Sequence, residues 1–329
     1  MKLTSQGASR RKWAFAVVDY FMKRFFRVYP FFALVAVLLW WLPFESQFRF
    51  FLVESADKYD LYKVLTFDFK HRYLMLWTLP LEIAYYFCIP VFVLSTLRLR
   101  SFWWIALLAL QMWIMHDGIY TYRFHHLLLR PHISTFLQES VAAVIFVKFD
   151  AWRKDTGFEF RKWHVVAIRV VEYAMLVLLI SECFRALLFE WVHTYLVAAP
   201  SGDPFISWLI AYVIVIEMLL PSPVSTTLEW NVLRYWGKIS FSLYLLHPFV
   251  IYSKFISSRT NYYDRLFMQV ALLLLMASTS YYLVEYPLQL MVRRLSQKLA
   301  QLEARGMCSS STTKVTADKK YDEKGAEMA

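Results

Sequence analysis

The chain has 329 residues, of which 59% are hydrophobic and 19% aromatic, and its mean hydropathy is +0.40. A soluble domain of this size could not bury so much apolar side chain and still cover its surface with polar atoms. The formal net charge of +11 would suit nucleic acid in a soluble protein. Here the basic residues fall in short connections and at the chain ends, which is typical of membrane topology signals, and we expect no nucleic-acid partner.

Apolar stretches of about 18 to 25 residues recur along the chain, each long enough to cross a hydrocarbon core of roughly 30 Å. They predict an all-α fold, a polytopic membrane helix bundle of about eight transmembrane helices. The predicted spans are 28–45, 73–96, 101–117, 132–149, 165–189, 205–220, 236–255 and 266–290. We therefore expect an integral, multi-pass protein of an endomembrane or the plasma membrane, with the lipid bilayer as its main partner.

Lysine and arginine set the orientation of such a bundle. They collect before the first span, in the connections 97–100 and 150–164, and after the last span, whereas 190–204 has neither. Both termini are therefore predicted to be cytosolic. This gives a basic N-terminal segment (1–27), a transmembrane domain (28–292) and a cytosolic tail (293–329) that begins helical and is disordered from about residue 306.

Two ionisable residues are predicted to lie deep in the membrane, where such groups are costly and often functional. At about 1.5 Å of rise per residue, Glu82 reaches roughly 14 Å from one side and His247 roughly 16 Å from the other. Pro80 and Pro90 flank Glu82, and we expect them to interrupt its helix, while Pro248 follows His247 directly. The two side chains could form a general-base pair, in which Glu82 orients His247, or a structural hydrogen bond.

The other acidic residues of the spans carry weaker signals. Glu217, near the end of its span, is expected only to extend toward the membrane interface. Glu139, Glu182 and Glu285 are further candidates for functional residues. Three histidines between positions 125 and 132 have no cysteine or acidic partner at ligand spacing, so no metal site is predicted.

Arg24 and Arg27 stand just before the first predicted span, three residues apart, and share one face of a helix. Two guanidiniums at the membrane surface suit a phosphate-bearing ligand through bidentate contacts. Membrane anchoring by positive charge is the alternative interpretation.

Four segments, in order, resemble the membrane acyltransferase family 3. They are KRFFRVYP, LWTLPLEIAYYFCIPV, WGKISFSLYLLHPFVI and YYLVEYPLQ, and the resemblance covers roughly residues 20–292. Members of this family are integral O-acyltransferases that act on sugars, lipids and natural products. The resemblance implies transfer of an acyl group, commonly acetyl from acetyl-CoA, to the hydroxyl of a small molecule, lipid or glycan.

The resemblance also implies residue roles. Arg24 and Arg27 correspond to the pair implicated in holding the acyl-CoA donor. His247 and Glu82 correspond, with Trp77, to residues that line the membrane cavity; their catalytic roles are predicted from their depth in the membrane. Besides Trp77, the matched residues that are implied to line the substrate cavity are Tyr244 and Glu285.

The chain departs from the family pattern at two places. The family begins with two more helices, the first of which carries an arginine and, about ten residues later, the histidine regarded as the catalytic base; no segment before Lys23 matches it. In FLQES at 136–140, Glu139 stands where the family often has glycine. The alternative to an active enzyme is therefore an N-terminally truncated or catalytically inactive paralogue that acts as a membrane binding protein.

Overall fold

The computed structural model describes residues 10–54, 59–68, 71, 73–99, 102–121, 129, 132–185, 187–195 and 205–303. Within these ranges the chain is helical and forms no strand. The helices are α1 (Arg10–Trp41), α2 (Phe44–Phe51), α3 (Leu61–Leu65), α4 (Thr78–Arg98), α5 (Trp103–Tyr120), α6 (Ile133–Thr156), α7 (Lys162–Cys183), α8 (Leu187–Tyr195), α9 (Phe205–Leu219), α10 (Pro223–Leu228), α11 (Asn231–Ile251), α12 (Lys254–Ser257) and α13 (Tyr262–Ser280). A 3₁₀ turn, Leu74–Trp77, precedes α4.

Four helical segments are long and apolar enough to cross a membrane: Lys12–Trp41, Thr78–Arg98, Lys162–Cys183 and Tyr262–Glu303. The outer side of α7 illustrates the environment that these helices require. Val166, Val170 and Val177 are each more than 60% exposed there. A continuous apolar face of this kind is stable next to lipid rather than water. The fold is therefore all-α, and these segments indicate a membrane protein.

The chain divides into two compact units, residues 1–61 with 239–329 and residues 62–238. In the first unit, α1 contributes a buried apolar face that includes Phe31, Phe32 and Leu39. The ring of Phe31 meets that of Phe241 with centroids 6.1 Å apart. The Gln47 side-chain amide donates to the carbonyls of Leu39 and Leu42, at 3.1 and 2.9 Å, and so satisfies backbone acceptors where α1 ends.

In the second unit, α6 packs against α5 and α9, and α9 packs against α7. Buried Leu107, Ile114 and Val141 form one apolar cluster between α5 and α6. The hydroxyl of Tyr85 donates to the Phe136 carbonyl at 3.0 Å and lies 2.6 Å from Ser140 Oγ, which connects α4 to α6.

The prolines that flank Glu82 do not interrupt its helix as expected. Pro80 lies in the first turn of α4, where a backbone N–H has no helical acceptor in any case, and Pro90 lies inside the continuous helix Thr78–Arg98. Loss of one backbone hydrogen bond at Pro90 does not outweigh the bonds of the surrounding turns.

Helix boundaries also differ from the predicted spans. α1 begins at Arg10, so Arg24 and Arg27 lie within a long helix rather than ahead of it. The predicted span 165–189 is divided between α7 and α8. The predicted connection 46–72 contains α3 and all but the first two residues of α2. The tail is helical to Glu303, as expected; the predicted disorder from residue 306 concerns residues outside the described ranges.

One helix changes its geometry inside a span. After α13 the chain forms a π-helical turn, Tyr281–Glu285, closed by the Tyr286 N–H on the Tyr281 carbonyl, and then continues as helix to Glu303. Turns of this type occur mostly as single insertions within α-helices, frequently at functional sites.

Candidate active site

The π-turn places Glu285 in the interior of the first unit. Glu285 is 4% exposed and accepts a hydrogen bond from the Ser242 hydroxyl of α11, which is itself fully buried. Ser280 Oγ donates to Ser242 Oγ at 3.1 Å. The carboxylate is thus held by a chain of two hydroxyls, which compensates part of the cost of burying it.

The basic face of α1 lies close to this carboxylate. α1 packs against the π-turn, and Arg27 interacts electrostatically with Glu285 although its side chain is exposed. Arg24 is half-buried, with its guanidinium 5.8 Å from the centre of the Tyr20 ring. The two cations therefore share a helix as predicted, and Glu285, one of the predicted cavity residues, lies near one of them.

His247 contacts the backbone carbonyl of Tyr244, the acceptor to which residue 248 would donate in a helix if it were not proline. In a helix, the Tyr244 carbonyl would accept from the N–H of residue 248, but proline has no N–H. The Nδ1 atom of His247 lies 2.7 Å from that carbonyl oxygen. Since a carbonyl can only accept, Nδ1 carries the proton in this contact.

This contact determines the chemistry of the ring. A neutral imidazole protonated on Nδ1 has its lone pair on Nε2, the form that can accept a proton as a general base. The ring is half-buried and also lies near the Tyr244 ring, with centroids 5.9 Å apart. The contact therefore leaves Nε2 as the ring nitrogen that could act as a base.

The second unit holds the other two predicted site residues. Glu82, in the second turn of α4, accepts from the Tyr86 hydroxyl at 3.3 Å. Trp77, in the 3₁₀ turn just before α4, packs on His132 with ring centroids 5.4 Å apart. Because Glu82 and His247 belong to different units, the pairing of these two side chains stays a prediction.

Sequence reasoning missed a buried ionic cluster in the second unit, formed by Arg169, Glu172, Glu217 and Ser222. The guanidinium of Arg169 donates to Glu172 and, at 3.2 Å, to Glu217 Oε1, and it also donates to the Leu220 carbonyl. The N–H and hydroxyl of Ser222 both donate to Glu217. Glu172 and Glu217 are 1% and 7% exposed.

Glu217 therefore does not extend toward the interface as expected, because Arg169 and Ser222 hold it in the interior. The i,i+3 spacing of Arg169 and Glu172 is a sequence signal for part of this cluster. The participation of Glu217, 48 residues further along the chain, depends on how α7 and α9 pack. Through these contacts the cluster joins α7 to the end of α9.

The remaining candidates differ in their surroundings. Glu139 is exposed on α6, whereas Glu182 is buried and accepts from the Phe189 N–H at 2.9 Å, which links α7 to α8. Among the described residues no group of three or more histidine, cysteine or acidic side chains could hold a metal ion. His125 and His126 lie outside the described residues.

No family model, no curated protein and no solved structure matches this chain.

Proposed function

We propose that the chain is an integral-membrane O-acyltransferase that moves an acyl group, acetyl in the simplest case, from acyl-CoA to a hydroxyl of a small molecule, lipid or glycan. The observation that carries this proposal is the hydrogen bond from His247 Nδ1 to the Tyr244 carbonyl, which leaves Nε2 as a base. The four ordered segments that resemble membrane acyltransferase family 3 support the same assignment.

In the proposed reaction His247 Nε2 takes the proton of the acceptor hydroxyl. The acceptor oxygen forms a bond to the carbonyl carbon of the thioester, and the carbon–sulfur bond breaks. The imidazolium returns its proton to the departing thiolate, so that the products are an ester and CoA. The resemblance to membrane acyltransferase family 3 suggests the remaining roles: Glu82 would stabilise the charged imidazole, and Trp77, Tyr244 and Glu285 would line the acceptor cavity.

Arg24 and Arg27 are the proposed contacts for the phosphates of CoA. Their three-residue separation on α1 places both guanidiniums on one side of the helix, and planar guanidiniums bind phosphate through paired hydrogen bonds. Glu285 lies close enough to Arg27 to act on it electrostatically.

The proposed topology has eight crossings with both termini in the cytosol. Among the described residues, eight helices have 15 residues or more, namely α1, α4, α5, α6, α7, α9, α11 and α13. Each of them overlaps one predicted span. An endomembrane or the plasma membrane is the proposed location.

The test is transfer of radiolabelled acetyl from acetyl-CoA to hydroxylated compounds of a membrane extract by the purified chain in detergent. We expect His247→Gln to lower kcat by roughly 10²- to 10⁴-fold, the range for loss of a general base. We expect the double change Arg24→Gln, Arg27→Gln to raise KM for acetyl-CoA at least about tenfold, since a hydrogen bond to a charged group contributes about 1.5–3 kcal/mol.

Two matched variants separate these effects from general damage. His164→Gln removes an imidazole, and Arg294→Gln removes an exposed cation from the last helix; both should leave kcat and KM unchanged. Absence of label transfer by the unaltered chain, or transfer that His247→Gln does not affect, would contradict the proposal.

A further inference from the structure

An open apolar cleft lies on the second unit, between α6, α7 and the end of α9. Its volume is about 350 Å³, and its walls include Phe149, Phe160, Ala167, Ile216 and Leu219. The rings of Phe149 and Phe160, both wall residues, stack with centroids 6.0 Å apart. Beside a membrane, an open cleft with apolar walls is filled by hydrocarbon rather than water.

One cation contacts a wall of this cleft, and two more follow a wall residue in the sequence. Arg153 lies one turn after Phe149 on α6, so the two share a face, and its Nη1 donates to the carbonyl of Leu219, a wall residue, at 3.3 Å. A guanidinium has five N–H donors, so this single contact leaves others for a ligand. Arg161 and Lys162 follow Phe160 directly, and both side chains are exposed.

The cleft and the cations near it therefore match the two parts of a phospholipid, its acyl chain and its phosphate. The walls suit an acyl chain, and the three cations suit a phosphate. Basic residues at a membrane surface attract anionic lipids, and each Lys or Arg contributes about 1 kcal/mol of binding free energy. The charges of Arg153, Arg161 and Lys162 thus favour anionic lipids over neutral lipids whose acyl chains would fit the cleft equally well.

We propose that this cleft is a binding site for an anionic glycerophospholipid, with one acyl chain between α6, α7 and α9 and its phosphate at Arg153, Arg161 and Lys162. The proposed lipid site shares no residue with the proposed active site, and the proposal does not depend on acyl transfer. The bound lipid covers the apolar wall and bridges α6 to the start of α7.

The experiment uses the purified full chain in a neutral detergent and a phosphatidylglycerol probe that carries a photoreactive diazirine on one acyl chain. Mass spectrometry should find the label within residues 149–171 and 216–220. Unlabelled phosphatidylglycerol should compete more strongly than phosphatidylcholine of the same chains. Arg153→Gln should weaken competition by phosphatidylglycerol about fivefold, the factor that corresponds to about 1 kcal/mol, and leave phosphatidylcholine unaffected.

A matched pair of tryptophan substitutions tests the cleft itself. Ala167→Trp fills it and should reduce labelling at least fivefold. Val177→Trp enlarges an exposed side chain ten residues further on α7, about 15 Å along the axis, and should leave labelling unchanged.

Three results would overturn the proposal: labelling that persists in Ala167→Trp, equal competition by the two phospholipids, or stronger competition by a long-chain acyl-CoA. The last would assign the cleft to an acyl donor. The comparison of the two phospholipids on the unaltered chain decides the matter even if a variant fails to fold.

Discussion

His247 and Pro248 act as one feature because the proline removes a backbone donor and the imidazole replaces it. The 2.7 Å contact between Nδ1 and the Tyr244 carbonyl follows from their adjacency. A histidine directly before a proline in a helix can be recognised in the sequence. The consequence for the tautomer could therefore have been predicted, whereas depth in the membrane alone suggested a pairing with Glu82.

Replacing this proline should release the imidazole. In Pro248→Ala the new N–H can donate to the Tyr244 carbonyl and compete with Nδ1, so the fraction of ring protonated on Nδ1 should fall. Nitrogen NMR of histidine-labelled protein measures this fraction, with His247→Gln used to assign the signal. Pro90→Ala, in α4, should leave the signal of His247 unchanged. An unaltered spectrum in Pro248→Ala would contradict this account of the ring.

Arg169 is the residue on which the buried cluster depends. Its removal leaves Glu172 and Glu217 without their cation and the Leu220 carbonyl without its donor. Loss of one partner of a buried ion pair costs about 3–5 kcal/mol. We expect Arg169→Gln to lower the free energy of unfolding by that amount, measured by denaturation in detergent. The exposed Arg234 gives the matched control, and an equal effect of Arg234→Gln would refute the role of the cluster.

At the scale of elements, hydropathy predicted where the long helices lie but not where they end. α1 and α6 continue past their apolar parts, to Arg10 and Thr156, because an amphipathic turn extends a helix without an apolar run. The expected interruption at Pro90 was wrong, since the surrounding turns retain their hydrogen bonds. The π-turn has no sequence signal of its own, and its Glu285 contacts Ser242, 43 residues earlier in the chain.

The packing of α4 on α6 depends on one hydroxyl. Tyr85 donates to the Phe136 carbonyl and lies within hydrogen-bond distance of Ser140 Oγ, and its ring stacks on Phe136 with centroids 4.9 Å apart. Tyr85→Phe keeps the ring and removes the hydroxyl, which should cost about 1–3 kcal/mol in the free energy of unfolding. Thermal unfolding in detergent measures it. Tyr282→Phe, at a side chain that is 57% exposed, should change the unfolding temperature little.

At the scale of the whole molecule, composition was sufficient to predict an all-α membrane protein. Each apolar segment satisfies its own backbone as a helix, and lipid permits few alternatives. The contacts that give the site its chemistry were harder to predict, because they join residues far apart in the chain. Ser242 and Glu285 are 43 positions apart, and no local pattern pairs them.

Labelling with a membrane-impermeant maleimide tests the proposed topology. In a background without Cys88, Cys183 and Cys308, single cysteines at Arg98, Asp155 and Lys298 should react on one side of sealed vesicles. A cysteine at Glu190 should react only on the other side. Reaction of the Asp155 and Glu190 positions from the same side would mean that α7 does not cross the bilayer.

The π-turn at Tyr281–Glu285 changes the direction in which the later side chains of the last helix point. One residue more than an α-helical turn requires is accommodated there, so every side chain after it is rotated relative to an uninterrupted helix. Glu285 reaches Ser242, and Ser296 reaches Asp19 of α1 at 2.5 Å, only with this rotation. Deletion of Leu283 removes that extra residue and should restore regular α-helical winding while Ser296 keeps its orientation toward Asp19; regular winding of the full-length chain would instead turn it by about 100°. The π-turn thus determines which face of the residues that follow it meets α1.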